Sequence, residues 1–315
     1  MANDPRDPPT IAPNLAATVP TWRAAYSDRT SALMAAFCQL AYLPFELHPA
    51  PAPRAPKMVR PGGEDQLRAC LVGGGFQVTH IFNRDDTQAF LAVNHAEFAV
   101  LAFRGTTDFQ DWITNLKGRQ ISMPGAPAVF VHEGFLGAFE CCRAEISAAV
   151  DEVVPNDLGL YITGHSLGGA LAQIASAVLE RDNLAACYTY GSPRVGRANF
   201  DRLVKCPHYR LINDWDLVPG VPPPWFSGYR HSGDPRLLTP GSAGQEALRR
   251  DRFGPARFWV DLRDTVEGLF DPKHRFLDID DHMIWNYRTQ LEAIATARTD
   301  IPPATAGIRT RPNWP

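Results

Sequence analysis

The feature that most constrains the fold is a glycine- and serine-containing turn between an apolar strand and an apolar helix. The residues Gly164-His165-Ser166-Leu167-Gly168 fit the pattern G-x-S-x-G, with the strand-forming run LYIT before them and the helix-forming run GALAQIASAVL after them. Glycine is needed on both sides of the serine because a side chain there would collide where strand and helix cross. The pattern predicts a serine held on a strained strand-to-helix turn. The alternative is a glycine-rich turn that only packs helix on sheet.

Strand-forming and helix-forming segments alternate along the chain. The runs FAVLAFRG at 98–105 and LGLYITG at 158–164 are almost continuously apolar, as expected of central strands covered on both faces. Helices are predicted at roughly 133–153 and 168–182. This alternation predicts an α/β fold with a mainly parallel central sheet and helices on both faces. Further strands are predicted at 76–82, 89–94, 187–196 and 208–213.

The patterning indicates one large domain with a tail at each end. Residues 1–20 are Pro-rich and are predicted to be a flexible arm or one that drapes over the surface. Residues 21–300 are predicted to form the single domain, and residues 301–315 a C-terminal tail. The stretch 232–278 breaks the alternation of strand and helix and is predicted to be an insertion.

Charge and cysteine content exclude several functional classes. A formal charge of -3 leaves no basic footprint for nucleic acid. The six cysteines show no metal-ligand spacing, so we expect no metal and interpret them as mostly buried thiols in a reducing compartment. No apolar run reaches the roughly 18 residues of a membrane span. The N-terminus lacks the basic head and apolar run of a signal peptide, which predicts a cytoplasmic protein or one exported without a cleavable signal.

A serine hydroxyl becomes an effective nucleophile when a histidine takes its proton and a carboxylate holds that histidine. In the chain order of this architecture the acid follows the serine, at the end of a later strand. The strand HYRLIN runs into Asp214 and Asp216. We favour Asp216, partly from the resemblance described below. Either aspartate could instead cap a turn.

The histidine is expected last, on a loop before a final helix. Asp281 is a suitable N-cap for that helix, which would place His282 in its first turn. His231 and His274 also follow the acid and are the alternatives. His165 lies inside the serine turn, but its direct adjacency to the nucleophile points its ring away from the hydroxyl.

An oxyanion forms when the serine attacks an ester, and preorganised donors must stabilise it. The backbone N–H of Leu167, the residue after the serine, is one such donor. The central strand at 98–105 delivers Thr106 to the same edge of the sheet, where it offers an N–H and a hydroxyl. The alternative for Thr106 is an ordinary turn residue.

Together these motifs resemble the class 3 (fungal-type) lipases of the α/β-hydrolase fold. The matching segments stand in the family's order: Phe103-Arg104-Gly105-Thr106-Thr107, Asp111-Trp112, Val131-His132-Glu133-Gly134-Phe135, Thr163-Gly164-His165-Ser166-Leu167-Gly168-Gly169-Ala170, Gly191-Ser192-Pro193-Arg194-Val195-Gly196, Asp216-Leu217-Val218-Pro219 and Asp281-His282. The resemblance covers roughly residues 28–230 and 276–295. It implies a Ser166, Asp216, His282 triad, an oxyanion hole at Thr106 and Leu167, and hydrolysis of fatty-acid esters without a cofactor.

The resemblance also implies a lid. In the fungal members the segment after the FRG motif forms a helix over the active site. Here Phe109, Trp112, Ile113 and Leu116 would share one apolar helical face. We expect that face to close on the acyl site or to settle onto a lipid surface, and the alternative is a helix packed permanently into the core.

These inferences predict a lipolytic serine hydrolase whose partner is a lipid ester, with action at a lipid–water interface and a moving lid left open. Phospholipase A1 or feruloyl-type esterase activity on the same triad is the alternative within catalysis. The alternative outside catalysis is a lipase-like scaffold that binds an acyl ligand or a protein partner.

Overall fold

The structure is a computed structural model that describes residues 4–12, 25–45, 62–85, 87–106, 119–213, 216–225, 227–238 and 281–297. The helices in these ranges are α1 Asp28–Leu40, α2 Gly63–Val72, α3 Glu133–Val153, α4 Leu167–Val178 and α5 Ile284–Ala297. The strands are β1 Gln77–Arg84, β2 Thr87–Asn94, β3 Phe98–Phe103, β4 Gln120–Met123, β5 Ala126–His132, β6 Leu160–His165, β7 Leu184–Tyr190, β8 Gly196–Arg197, β9 His208–Asn213, β10 Tyr229–Arg230 and β11 Asp234–Leu238.

The main sheet has the strand order β1-β2-β3-β6-β7-β9-β11. The pairs β1–β2 and β2–β3 are antiparallel, and every pair from β3 to β11 is parallel. In parallel strands all carboxyl ends lie at one edge, so β3, β6 and β9 deliver the residues that follow them to the same place. The predicted α/β fold with a mainly parallel sheet is confirmed.

Helices cover both faces of this sheet, and the central strands are apolar on both sides for that reason. Successive side chains of β3 divide between two hydrophobic clusters: Phe98, Val100 and Ala102 face one, and Ala99, Leu101 and Phe103 face the other. The first cluster includes residues of α1 and α5, which pack against each other. The second includes residues of α3 and α4. The predicted arrangement of helices on both faces is confirmed.

A second, smaller sheet has the order β10-β8-β5-β4, and its pairs are antiparallel. It was not predicted, because β8 and β10 have only two residues each and show no periodicity. The predicted strand at 187–196 is in fact β7, followed by a turn at Gly191 and then by β8.

Three predicted boundaries need correction. The predicted insertion at 232–278 begins too early, since β11 pairs in parallel with β9 and extends the main sheet. The predicted flexible arm at 1–20 contains a packed segment, 4–12, in which Ile11 is 1% exposed. Helix α5 begins at Ile284, so His282 is not in its first turn; Asp281 and His282 are themselves helical and are separated from α5 by Met283. The predicted tail at 301–315 lies outside the described residues.

Candidate active site

The serine of the G-x-S-x-G turn has a strained backbone. Ser166 joins β6 to α4 with φ +57° and ψ −128°, a region that residues with a side chain rarely adopt. The strain is held by backbone hydrogen bonds, from Ser166 N–H to the Tyr190 carbonyl (2.9 Å) and from Gly169 N–H to the Ser166 carbonyl (2.9 Å). A Cβ atom at Gly164 would lie 2.0 Å from the carbonyl oxygen of Gly168, which explains the glycine there. These values describe a nucleophile elbow.

The predicted acid and histidine are hydrogen-bonded to each other. Nδ1 of His282 lies 2.8 Å from Oδ2 of Asp216, and both side chains are buried, at 2% and 0% exposure. A carboxylate only accepts, so Nδ1 donates and the lone pair lies on Nε2, the tautomer that a general base requires. Gly191 borders this pair: it has φ +53°, and a Cβ atom there would lie 2.4 Å from the same carboxylate oxygen.

Two further groups hold the carboxylate of Asp216. The Val218 N–H donates to Oδ1 (2.9 Å), and the Tyr287 hydroxyl donates to Oδ2 (2.6 Å). Burial, and next the nearby carboxylate, raise the pKa of Tyr287 well above its ordinary value, so the phenol keeps the proton that it donates. Sequence reasoning missed Tyr287, because nothing in an isolated helix pattern indicates which buried tyrosine reaches a strand end 71 residues away.

The alternative acid and histidines are placed differently. His231 lies beside the loop after the acid, where Nε2 contacts the Pro219 carbonyl oxygen at 2.8 Å. Burial, and next the positive charge of Arg210, lower the pKa of His231 well below its ordinary value. Asp214 and His274 lie outside the described residues.

The ring of His165 links the elbow to His282 and to Tyr42, which lies just after α1. Nε2 lies 2.6 Å from the backbone carbonyl of His282, and Nδ1 lies 2.6 Å from the Tyr42 hydroxyl. Because a carbonyl only accepts, Nε2 donates to it, and Nδ1 accepts a hydrogen bond from the Tyr42 hydroxyl. Burial, and next the charge of His282, lower the pKa of His165 well below its ordinary value, so the ring stays neutral. The residue next to the nucleophile therefore fixes the backbone of His282.

This link also brings Ser166 and His282 into one site. The rings of His165 and His282 have centroids 4.5 Å apart. Within the described part of the chain, Oγ of Ser166 is buried and makes no hydrogen bond. In ligand-free active sites the bond between nucleophile and base is often long and tightens only around substrate.

The two predicted oxyanion donors flank the serine. Leu167 begins α4 directly after Ser166, so its N–H points out of the first turn of the helix. Thr106 follows β3 and is half-buried. The backbone before it closely approaches the elbow, since a Cβ atom at Gly105 would lie 3.0 Å from Cβ of Ser166.

A cavity of about 260 Å³ adjoins this site. Thr106, His165 and His282 line one side of it, and Tyr42 and Trp285 are among its other walls. The predicted lid residues Phe109, Trp112 and Ile113 lie outside the described residues. In the described ranges no cluster of His, Cys, Asp and Glu is arranged to hold a metal ion.

Comparison with known proteins shows what the central part of the chain is similar to. Residues 100–226 match the family described as Lipase (class 3). The secreted mono- and diacylglycerol lipase 1 of Fusarium solani is 39% identical over 160 residues, covering 49% of this chain and 48% of that protein. Residues 100–226 of the chain are thus similar to the class 3 lipases. The resemblance predicted from the motifs is confirmed.

The lipase of Rhizomucor miehei is also similar, at 32% identity over 169 residues, with 50% of this chain and 46% of that protein covered. The chain thus spans about half the length of the curated relatives it matches. A solved structure described as a triacylglycerol lipase with a serine protease triad at its catalytic centre matches at 26% identity and a TM-score of 0.53, covering 66% of this chain and 80% of that one. The α/β-hydrolase fold is confirmed by this match.

Proposed function

We propose that this chain is a lipolytic serine hydrolase that cleaves carboxylic ester bonds of acylglycerols or related lipid esters through an acyl-serine intermediate. The observation that carries the proposal is the buried Asp216–His282 hydrogen bond beside a serine held at φ +57°. The match of residues 100–226 to the class 3 lipases supports the choice of a lipid ester.

In the first half of the proposed reaction Ser166 Oγ attacks the ester carbonyl carbon while Nε2 of His282 takes the hydroxyl proton. Asp216 stabilises the imidazolium that forms, through the hydrogen bond to Nδ1. The N–H groups of Thr106 and Leu167 receive the negative charge on the carbonyl oxygen. When the C–O bond to the alcohol breaks, His282 returns the proton to the departing alcohol oxygen, and the acyl group stays on the serine.

The second half repeats these roles with water as the nucleophile. His282 takes a proton from water as the water oxygen attacks the acyl carbon, and the same two N–H groups hold the oxyanion. Collapse of the intermediate breaks the bond to Ser166 Oγ, which receives the proton from His282. The products are a fatty acid and the free serine, and no cofactor takes part in any step.

The test compares wild-type protein with Ser166→Ala on a panel of triacylglycerol, diacylglycerol, phosphatidylcholine and feruloyl esters. We expect hydrolysis of the acylglycerols by wild type and a fall of up to about 10⁶ in turnover in the variant, since the serine acts as a unit with its base. A fluorophosphonate probe should label wild-type protein and leave Ser166→Ala unlabelled.

The panel also separates the alternatives. Faster hydrolysis of phosphatidylcholine or of feruloyl esters than of acylglycerols would replace the proposed substrate class with phospholipase A1 or feruloyl-type esterase activity. Failure of the probe to label folded wild-type protein would favour a non-catalytic lipase-like scaffold. Full activity in Ser166→Ala would refute the mechanism.

The place of action stays a prediction: the cytoplasm, or outside the cell after export without a cleavable signal. All six cysteines are free thiols, and all are buried except the half-buried Cys141. Among the helices in the described ranges, none combines the length and apolar character of a bilayer span. Action at a lipid–water interface is part of the proposal. It is tested by a rise in rate when the substrate passes its solubility limit.

A further inference from the structure

The N-terminal segment 4–12, named here the strap, is fixed to the domain at one end by Ile11. The Ile11 side chain is 1% exposed, and its N–H donates to the carbonyl of Cys70 at 2.9 Å. It lies directly over Gly74, where a Cβ atom would come within 2.5 Å of Cγ2 of Ile11. This end of the strap is therefore part of the hydrophobic core on the α1 face of the sheet.

The other end of the strap is held by two helices. Nε2 of Gln39, on α1, lies within hydrogen-bond distance of the carbonyls of Pro5 (3.1 Å), Arg6 (3.3 Å) and Asp7 (3.0 Å). Arg288, on α5, donates to the Pro5 carbonyl (2.9 Å) and to the Gln39 side-chain oxygen (2.7 Å). These contacts fix the strap backbone over the junction of the two helices.

Between these anchors the strap reaches the cavity beside the active site. Arg6 and Pro8 line the same cavity as Thr106 and His282. The predicted oxyanion donor and the catalytic base thus share a pocket with residues that lie outside the family match at 100–226.

The positive charge that the strap brings to this pocket is neutralised within the strap. The guanidinium of Arg6 is bound by the carboxylate of Asp4, with contacts of 2.9, 3.1 and 2.6 Å. The remaining lining is largely apolar and includes Leu43, Met283 and Trp285. A neutral, mostly apolar wall suits a hydrocarbon chain better than a charged head group.

We propose that the strap is a specificity-determining wall of the cavity beside the active site, where it contacts the acyl chain of the substrate and limits its length. The proposal rests on the proposed function, because it assigns part of that substrate. Pro8 lines this cavity of about 260 Å³ and is the strap residue whose size sets the limit.

The experiment measures kcat/KM for p-nitrophenyl acetate, butyrate and octanoate below their solubility limits, in the full chain. Pro8→Trp narrows the cavity and should lower the octanoate-to-acetate ratio about tenfold. Pro8→Ala should raise that ratio, and deletion of residues 1–8, which keeps Ile11 and its contact with Cys70, should raise it further. Should the deletion fail to fold, the two Pro8 variants carry the test.

Thr10→Trp is the matched control, since Thr10 is an exposed strap residue and is not among those lining the cavity. It adds the same bulk and should leave the ratio unchanged. A second series varies the alcohol while the acyl group stays acetyl. If the Pro8 variants change the alcohol series and not the acyl series, the assignment to the acyl chain is overturned.

The results distinguish this proposal from the proposed function. Ser166-dependent turnover with the same acyl-length profile in every variant would overturn the role of the strap alone. If wild-type protein shows no turnover that depends on Ser166 in either series, the proposed function fails, and the acyl assignment fails with it.

Discussion

Tyr287 holds the carboxylate of Asp216 from the side of α5. Its hydroxyl donates to Oδ2 at 2.6 Å and accepts from the Asn213 N–H at 2.9 Å, so it ties the acid to the end of β9. The substitution Tyr287→Phe removes a hydrogen bond to a charged group, of a kind worth about 1.5–3 kcal/mol. We expect kcat/KM for ester hydrolysis to fall about tenfold, with little change in KM, because the acid's position matters most when the imidazolium forms.

Tyr190→Phe is the matched control for this prediction. Tyr190 is another buried tyrosine, and its hydroxyl donates to the Ser31 carbonyl on α1 and not to the acid. Steady-state kinetics of both variants, with thermal melting to compare their stability, decide the matter. An equal loss of kcat/KM in the two variants would assign the effect to general loosening of the core.

The elbow is the element on which the site depends, and Gly164 is its most restricted position. A Cβ atom there would meet the Gly168 carbonyl oxygen at 2.0 Å, and backbone atoms cannot yield as a flexible side chain would. We expect Gly164→Ala to destabilise the protein by about 3 kcal/mol or more and to abolish labelling of Ser166 by a fluorophosphonate. Urea unfolding and probe labelling measure the two effects.

Gly137→Ala provides the contrast within a helix of the same domain. Gly137 lies in α3, is exposed, and has nothing within 4 Å of an added Cβ atom. Alanine has the higher helix propensity, so this change should stabilise the protein by up to about 1 kcal/mol. A wild-type stability for Gly164→Ala would show that strand and helix can separate at the elbow without cost.

The elements that sequence patterns predicted are those whose signal is local. The central strands β3 and β6 are continuous apolar runs, and the serine turn between β6 and α4 carries its own glycines. In contrast, β11 begins Asp-Pro-Arg and is only partly buried, as an edge strand can be, so its sequence has the appearance of a turn. Its place in the sheet is decided by pairing with β9, and a short stretch of sequence around β11 does not include β9.

At the scale of the whole molecule, the proposed triad residues could be predicted from the sequence, whereas the residues that hold them in place could not. Chain order, together with the resemblance that favoured Asp216, was enough to predict that Asp216 and His282 meet, because the acid was expected at a strand end and the histidine just before the last helix. Tyr42 and Tyr287 come from the α1–α5 face, and only the packing there shows that they reach His165 and the acid. The strap belongs to this second group, since its role depends on contacts with side chains of α1 and α5.

Buried histidines couple the stability of the whole molecule to pH. Burial, and next the positive charge of Arg210, lower the pKa of His208 to about 3 from an ordinary 6.5. Below pH 6.5 the unfolded chain binds a proton that the folded chain does not, so stability is fully present above that pH and is lost as the pH falls towards 3. At pH 5 this one histidine lowers the free energy of unfolding by about 2 kcal/mol. Burial also lowers the pKa values of His165 and His231.

We therefore expect the free energy of unfolding in urea to fall steeply between pH 7 and pH 5. His208→Gln keeps a polar group near Thr189 and removes the titration, so its loss over that range should be about 2 kcal/mol smaller than in wild type. His95→Gln, which replaces an exposed histidine, should keep the wild-type dependence. An unchanged pH dependence in His208→Gln would contradict this prediction. It would mean that His208 binds a proton in the folded chain, and that the hydrogen bonds between β7 and β9 around it rearrange to hold the charged ring.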